Sequence, residues 1–259
     1  MRVRENALAL VCAGLSITAA LYPSGRLLAL GGLVALGILV SPSRSGLRSF
    51  RLVLAFIALS LGLFTGTWAV ASLATIGWQV NTIYSNAILK LVWAVSLFGV
   101  LRAAGWQEPA VPLRPGRTGR SELLAGVGLL LLFGLWFHLL YQPPGPSHLA
   151  AYFTWPTPAL VWIMAVFVVT NGVLEEIIFR HLLLSELLPR LGARAALFWQ
   201  ALLFGAFHYG LASRPHGLWG VLATTLVGLY LGWVARRSRG IGWAAVFHIL
   251  LDIIIVLGR

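Results

Sequence analysis

Two adjacent glutamates lie in an otherwise apolar stretch, and their type and spacing suggest chemistry more directly than any other residues of the chain. The stretch runs from Asn171 to Arg180 and contains Glu175 and Glu176, two of only 7 acidic residues in the sequence. A buried carboxylate can act as a general base that takes a proton from water. An ionisable group at the centre of a bilayer costs roughly 2.5–3.5 kcal/mol. Charges kept in such a segment therefore indicate a functional site.

The spacing of these charges predicts different roles for the two glutamates. Adjacent residues of a helix point about 100° apart, so Glu175 and Glu176 cannot share one face. Glu176 and Arg180 are four residues apart, which places them for an ion pair. Glu175 is then left to point toward a different target. The alternative interpretation is that the Glu–Arg pair is purely structural.

Two histidine-containing segments follow the glutamates. The first ends in His208 and begins with Phe204, and the second places His248 four residues before Asp252, on the same face of a helix. Glu175 and two imidazoles can hold and activate a water molecule, or stabilise a developing oxyanion. The same residue types are ordinary Zn²⁺ ligands. The simpler alternatives are a packed histidine at position 208 and a surface pair at 248 and 252.

The composition predicts a membrane protein. Of the 259 residues, 59% are hydrophobic and 10% are charged, and the mean hydropathy is +0.88. Several apolar runs approach the ~20 residues needed to cross a bilayer. We therefore predict an all-α, polytopic helical membrane protein with about eight to nine transmembrane helices. The predicted spans are 7–22, 27–41, 52–77, 82–104, 122–141, 159–188, 195–212, 217–235 and 241–257.

The net charge is +12. The basic residues are distributed as the predicted topology requires, so this charge does not indicate nucleic acid as a partner. Arginines fill alternate loops, fourteen on one side against three on the other. The positive-inside rule then predicts a cytoplasmic N-terminus and an external C-terminus. The arginine-rich, lysine-poor composition indicates a GC-rich bacterial genome, and we expect the protein in the bacterial inner membrane. The lipid bilayer and a membrane-associated peptide or protein are the expected partners.

A loop rich in proline and arginine, residues 105–121, predicts a boundary between two parts of the chain. Residues 1–120 would form N-terminal transmembrane helices of unknown role, and residues 121–259 would form the core that carries the polar motifs. Lys90 lies in the first part and is interpreted as a snorkelling or packing residue. His138 and His181 are interpreted as structural.

The three motifs, taken in order, resemble those of the CAAX protease and bacteriocin-processing family, also called the Abi family. The motifs are Glu175-Glu176-x-x-x-Arg180, Phe204-x-x-x-His208 and His248-x-x-x-Asp252. Each is weak alone, but three in this order, each in a predicted span, form a fairly specific signal. The resemblance covers about residues 150–257.

The resemblance implies an intramembrane endopeptidase with a glutamate-centred site. It assigns the general base to Glu175, the positioning of water to His208, and stabilisation of the oxyanion to His248 and Asp252. The supporting residues would be Glu176, Arg180 and Phe204. Family members best matched to this mechanism have Asn at the position of Asp252. Because a carboxylate donates a hydrogen bond only when protonated, we expect Asp252 to hold His248 as an imidazolium.

The expected function is hydrolysis of a peptide bond in a membrane-associated substrate by glutamate-activated water. The substrate classes are CAAX-like proteins, peptide precursors and C-terminal sorting signals. No cofactor is expected, and Zn²⁺ is the alternative. The chain has no H-E-x-x-H motif, and Asp252 is its only aspartate, which excludes an aspartyl dyad. Rival functions are a transporter or channel with buried charges, and a catalytically silent binding or immunity protein of the same fold.

Geometry provides a first check on this hypothesis. If the site exists, Glu175, His208 and His248 should converge in one polar cavity, with their side chains within about 4–8 Å of one another.

Overall fold

A computed structural model describes residues 2–21, 25–39, 51–62, 79–106, 109–139, 158–209 and 217–257. These residues form helices joined by turns, which confirms the all-α prediction for the described part of the chain. The helices are α1 (Arg2–Leu21), α2 (Arg26–Leu39), α3 (Arg51–Gly62), α4 (Gln79–Ala103), α5 (Arg120–Leu139), α6 (Pro158–Glu176), α7 (Ser185–Phe207), α8 (Gly217–Ser238) and α9 (Gly242–Leu257).

The connection between α6 and α7 is itself helical but wider than an α-helix. Residues Ile177–Leu184 form a π-helical segment of 8 residues directly after Glu176. It lies inside the predicted span 159–188, which is helical throughout in the structure, and the wider turn is a detail that the sequence did not predict. π-Helical turns are rare and often lie at functional sites. Here the segment begins at the residue that follows the two glutamates.

Helix α7 is interrupted once, at Gly192, which has φ 74° and ψ 170°. This positive φ is accessible to glycine without the steric penalty of a side chain, and Pro189 lies three residues earlier. The interruption falls in the predicted loop between spans 159–188 and 195–212. The sequence therefore placed this break correctly.

Two glycines let the helices that carry the site approach closely. A Cβ at Gly172 of α6 would lie 2.8 Å from Cγ1 of Ile249 in α9, and a Cβ at Gly205 of α7 would meet Thr225 of α8. Small residues allow such backbone approach between packed helices. Because Gly172 is three residues before Glu175 and Ile249 follows His248, this contact brings the glutamate helix to the histidine helix.

The N-terminal helices pack against the C-terminal ones. Helix α1 lies along α7, and α4 contacts both α6 and the π-helical segment. One buried apolar cluster includes Phe56 of α3 and Leu97 of α4 together with Phe204 of α7. The segment between α4 and α5 also contacts the C-terminal helices, since the Val111 amide donates to Ser185 Oγ at 2.9 Å. The division into 1–120 and 121–259 stays a prediction.

The number of transmembrane helices also stays a prediction. Within the described residues, one helix, Leu218–Ser238, is both long and apolar enough to cross a bilayer. The described apolar stretches Asn6–Leu21, Arg26–Gly37, Arg51–Gly62 and Gly242–Ile255 are shorter, at 10–17 residues. A ~30 Å hydrocarbon core needs about 20 residues of helix. Much of the predicted span 52–77 lies outside the described residues.

Candidate active site

Glu175, His208 and His248 converge at one point of the structure. Glu175 lies in the last turn of α6, His208 directly follows α7, and His248 lies in α9. Oε2 of Glu175 is 3.8 Å from Nε2 of His208 and 3.7 Å from Nε2 of His248. The glutamate and His248 are buried, and the side chain of His208 is 16% exposed. The expected convergence is therefore present, whereas the catalytic roles stay predictions.

The two carboxylate oxygens of Glu175 have different surroundings. Oε1 accepts a hydrogen bond from the ammonium of Lys90, with which Glu175 forms an ion pair. Oε2 faces the two histidines and accepts no hydrogen bond from the described part of the protein. One oxygen is thus held by a cation, and the other is available to accept a proton.

Both histidines have their Nδ1 atom occupied by an acceptor. Nδ1 of His208 lies 2.7 Å from the carbonyl oxygen of Phe204, and Nδ1 of His248 lies 2.8 Å from Oε1 of Glu176. A carbonyl or an ionised carboxylate can only accept, so Nδ1 of each ring is the donor. The Nε2 atoms of both rings are not engaged by these acceptors, and they lie 3.7–3.8 Å from Oε2 of Glu175.

The ion pair predicted between Glu176 and Arg180 is present. Nη1 of Arg180 donates to Oε1 of Glu176 at 2.8 Å, and both side chains are fully buried. The same Glu176 oxygen accepts from His248. Glu176 therefore joins the ion pair to the site and fixes the ring orientation of His248.

Phe204 packs beneath the polar groups. Its ring centroid is 4.6 Å from that of His208 and 5.7 Å from that of His248, and Cζ of Arg180 lies 4.4 Å above the ring. A guanidinium above an aromatic face is stabilised by the ring quadrupole. Phe204 thus contacts both histidines and the buried arginine, which agrees with its predicted supporting place.

The ring of His248 is hydrogen-bonded to a carboxylate other than that of Asp252, and the expectation that Asp252 holds it as an imidazolium stays a prediction. His248 donates from Nδ1 to Glu176, and Asp252 Oδ2 instead accepts from Nδ2 of Asn171 at 2.9 Å. The four-residue spacing places His248 and Asp252 on one side of α9, but the carboxylate that reaches the ring comes from α6. The carboxylate that holds His248 is therefore that of Glu176.

Lys90 is part of this site, and its interpretation as a snorkelling or packing residue was wrong. Besides the ion pair with Glu175, its ammonium donates to Oδ1 of Asn171. Snorkelling would carry the ammonium away from apolar surroundings to water, but a buried carboxylate offers it a direct partner. Two signals in the sequence indicated this: Lys90 is the only lysine, and Asn171 lies one helical turn before Glu175.

His181 is structural, as predicted. Its Nδ1 lies 2.7 Å from the carbonyl oxygen of Val111, and the ring packs edge-on against Trp106 with centroids 5.5 Å apart. It therefore connects the π-helical segment to the loop before α5. The side chain of His138 lies outside the described residues, so its interpretation stays a prediction.

The donor types at the site fit zinc, but the surroundings fit it less well. Two histidine nitrogens and a glutamate oxygen form a known zinc ligand set. The groups that accept a hydrogen bond from Nδ1 of each histidine would orient the rings, as such acceptors do for histidines that bind a metal. However, the Lys90 ammonium already neutralises Glu175. A metal cation bound to the same carboxylate would be repelled by the positive charge of the ammonium.

The part of the chain that carries the three motifs matches a known family. Residues 157–254 match the model for type II CAAX prenyl endopeptidases, described as Rce1-like. This segment is similar to Rce1-like CAAX endopeptidases. The match confirms the resemblance seen in the motifs. No curated protein and no solved structure gave a significant match.

The Rce1-like segment, residues 157–254, begins immediately before α6 and ends within α9. It therefore contains Glu175, Glu176 and Arg180 as well as both histidines of the site. Lys90, on α4, lies outside it. The proteins that this model describes are endopeptidases, and one residue at the site, Lys90, is not covered by the match.

Proposed function

We propose that the protein is an intramembrane endopeptidase in which Glu175 activates water for attack on a peptide bond. The observation that carries the proposal is the free Oε2 of Glu175, which lies 3.7–3.8 Å from the Nε2 atoms of two histidines. A hydrogen-bonded water oxygen lies about 2.8 Å from each partner. Three groups at these separations can share one water molecule and orient it.

The proposed reaction moves one proton through Glu175. Water transfers a proton to Oε2 as its oxygen bonds to the scissile carbonyl carbon, and the carbonyl oxygen becomes an oxyanion. His208 orients the water through Nε2. His248, held at Nδ1 by Glu176, stabilises the oxyanion when its Nε2 is protonated. Glu175 then gives its proton to the amine as the carbon–nitrogen bond breaks.

The exterior of the protein supports a location in the bilayer. Large apolar side chains are strongly exposed on several helices, among them Leu27, Leu28, Leu39, Leu124, Leu131 and Leu132. Exposed apolar surface of this extent is typical of contact with lipid or another apolar partner. We propose the bacterial inner membrane, with the N-terminus in the cytoplasm.

The substrate is proposed to be a membrane-associated peptide or protein cut near one terminus. The Rce1-like family description names CAAX prenyl endopeptidases, and peptide precursors and sorting signals are the other classes considered. The test is a mass-spectrometric comparison of protein termini in membranes of cells that express the wild type or Glu175→Gln. We expect termini found only with the wild type. Identical termini would contradict peptidase activity and favour the transporter or silent-binding alternatives.

The proposed role of His208 can be tested by substitution, with His181 as the control. We expect His208→Ala to lower the turnover number at least about 10²-fold, because the water loses an orienting partner. His181→Ala removes an imidazole that lies outside the site and is more deeply buried than that of His208, and it should alter only the melting temperature. The measurement is turnover per folded molecule on a peptide spanning a cleavage site found above. Equal loss in both variants would show that His208 acts through stability.

Metal dependence provides a separate prediction. The purified enzyme should contain less than stoichiometric zinc and should keep its activity in chelator, because Lys90 supplies the positive charge beside Glu175. Metal content is measured by mass spectrometry, and activity is measured before and after chelation. One bound Zn²⁺ per chain, with activity lost on removal and regained on addition, would assign the site to metal catalysis.

A further inference from the structure

The site contains a cation from a helix outside the Rce1-like segment. The ammonium of Lys90, on α4, forms an ion pair with Glu175 and donates to Asn171, one helical turn earlier on α6. The side chain of Lys90 is 14% exposed and that of Glu175 is 5% exposed. Lys90 therefore reaches from the N-terminal helices to the group proposed as the base.

This contact determines which oxygen of Glu175 is available. Oε1 is taken by Lys90, so the carboxylate is turned with Oε2 toward the Nε2 atoms of His208 and His248. Without a partner at Oε1, the terminal torsion of a glutamate is broad and nearly two-fold. The ammonium thus fixes an orientation that the glutamate backbone alone does not.

The network continues to α9. Asn171 accepts from Lys90 at Oδ1 and donates from Nδ2 to Asp252. The amide is therefore used at both ends, which fixes its orientation as well. Through these bonds Lys90 connects α4, α6 and α9 at the level of the site, and this gives Asp252 a place in the network that supports Glu175.

The position of α4 is fixed independently by Trp93, one turn after Lys90. Its Nε1 donates to the carbonyl oxygen of Ala58 at 3.2 Å. Its ring stacks on Phe207 with centroids 5.9 Å apart and meets the edge of Phe179 at 6.2 Å. Phe207 directly precedes His208. The same face of α4 that carries Lys90 is therefore packed against the helix end that carries the histidine.

We infer that Lys90 is a positioning residue for the general base, and that the N-terminal helices complete the active site by supplying it. Its ammonium holds Oε1 of Glu175 so that Oε2 receives the proton of the attacking water. Lys90 keeps its own protons throughout, and the proton moves only between water, Oε2 and the leaving amine. The inference rests on the proposed function.

The single cysteine of the chain makes a direct test practical. Cys12 is buried, so a Cys12→Ala background leaves Lys90→Cys as the only thiol. Treatment with 2-bromoethylamine then restores an ammonium at the length of lysine, whereas iodoacetamide adds a neutral amide. Mass spectrometry of the intact protein measures the extent of each modification, and turnover is measured on the same samples.

We expect Lys90→Cys to lower kcat about 10²-fold, since misplacing a reacting group by about 1 Å costs this much. KM should change by no more than about twofold, because the loss affects the transition state and not substrate binding. Aminoethylation should raise the kcat of the Lys90→Cys variant at least about tenfold, and treatment with iodoacetamide should not raise it. Restoration by both reagents would show that Lys90 only fills space, and would overturn the inference.

Two comparisons keep the inference separate from the proposed function. Full activity of Lys90→Cys together with an inactive Glu175→Gln would overturn the role of Lys90 and leave the proposed function intact. Activity in both variants would overturn the proposed function itself. Should Lys90→Cys fail to fold, Lys90→Arg and Lys90→Met decide the question. Equal kcat values for the charged and the neutral variant would overturn the inference.

Discussion

Replacing Glu175 by glutamine should abolish most of the peptidase activity. The amide keeps the shape of the side chain but cannot take a proton from water. Loss of a general base typically lowers the rate 10²–10⁴-fold, and we expect this loss in kcat. The measurement is turnover by purified enzyme in liposomes, with the melting temperature recorded for each sample because Lys90 loses its ionic partner.

Glu122→Gln is the matched control. Glu122 is also a buried carboxylate held by a basic side chain, with Nε of Arg237 2.8 Å from its Oε1, but it lies at the start of α5, outside the site. This variant should keep the wild-type kcat. Full activity in Glu175→Gln would remove Glu175 from the mechanism. Equal losses in both variants would indicate a general effect of removing a buried carboxylate.

Replacing Arg180 by alanine should strongly destabilise the protein. The guanidinium is fully buried and pairs with Glu176, which also holds His248. Removing one partner of a buried pair leaves an uncompensated charge, which costs roughly 3–5 kcal/mol. We expect a large fall in melting temperature and in the amount of folded protein recovered from membranes.

Arg237→Ala tests whether burial is the cause. The Arg237–Glu122 and Arg180–Glu176 pairs have the same nitrogen–oxygen distance of 2.8 Å, but Arg237 is 65% exposed whereas Arg180 is 0% exposed. An ion pair with an exposed partner contributes little to stability, and the Glu122 carboxylate still accepts hydrogen bonds from the Gly119 amide and Ser121 Oγ when Arg237 is removed. The melting temperature of Arg237→Ala should therefore fall much less. A normal melting temperature for Arg180→Ala would contradict the structural role of the buried pair.

The parts of the site that depend on local spacing could be predicted from the sequence. Four residues separate Glu176 from Arg180, and a helix alone brings them together. Polar residues are also easy to notice in an apolar chain, which is why Glu175, His208 and His248 were found. Their convergence required the three helices to pack together, and the resemblance to a known family supplied that expectation.

The contributions that depend on packing between distant helices could not be predicted in the same way. Lys90 reaches Glu175 across 85 residues of sequence, and nothing in the local pattern of α4 determines its neighbour. The hydrogen-bond partner of His248 could not be predicted for a related reason. Asp252 satisfies the four-residue spacing, but Glu176, which is 72 residues from His248, is the carboxylate that its ring contacts. Spacing rules describe contacts within a helix and do not identify partners on another.

Backbone geometry was predicted only where the sequence carries a marker for it. The break at Gly192 coincides with a proline and a glycine that end helical periodicity. The π-helical segment Ile177–Leu184 carries no such marker in its sequence. Its position directly after the glutamates is a feature of the site that only the structure provides.

The most direct test of glutamate-activated water is a single turnover in H₂¹⁸O. Enzyme in excess over a peptide that spans an identified cleavage site is mixed in labelled water, and the new C-terminal fragment is weighed by mass spectrometry. Direct attack by water predicts one ¹⁸O atom in its carboxylate in the first turnover, with Glu175→Gln giving no fragment above background. A covalent acyl-enzyme in rapidly quenched samples, or a first-turnover fragment without the label, would show that a side chain of the enzyme attacks the carbonyl, and would contradict the role of Glu175 as a general base.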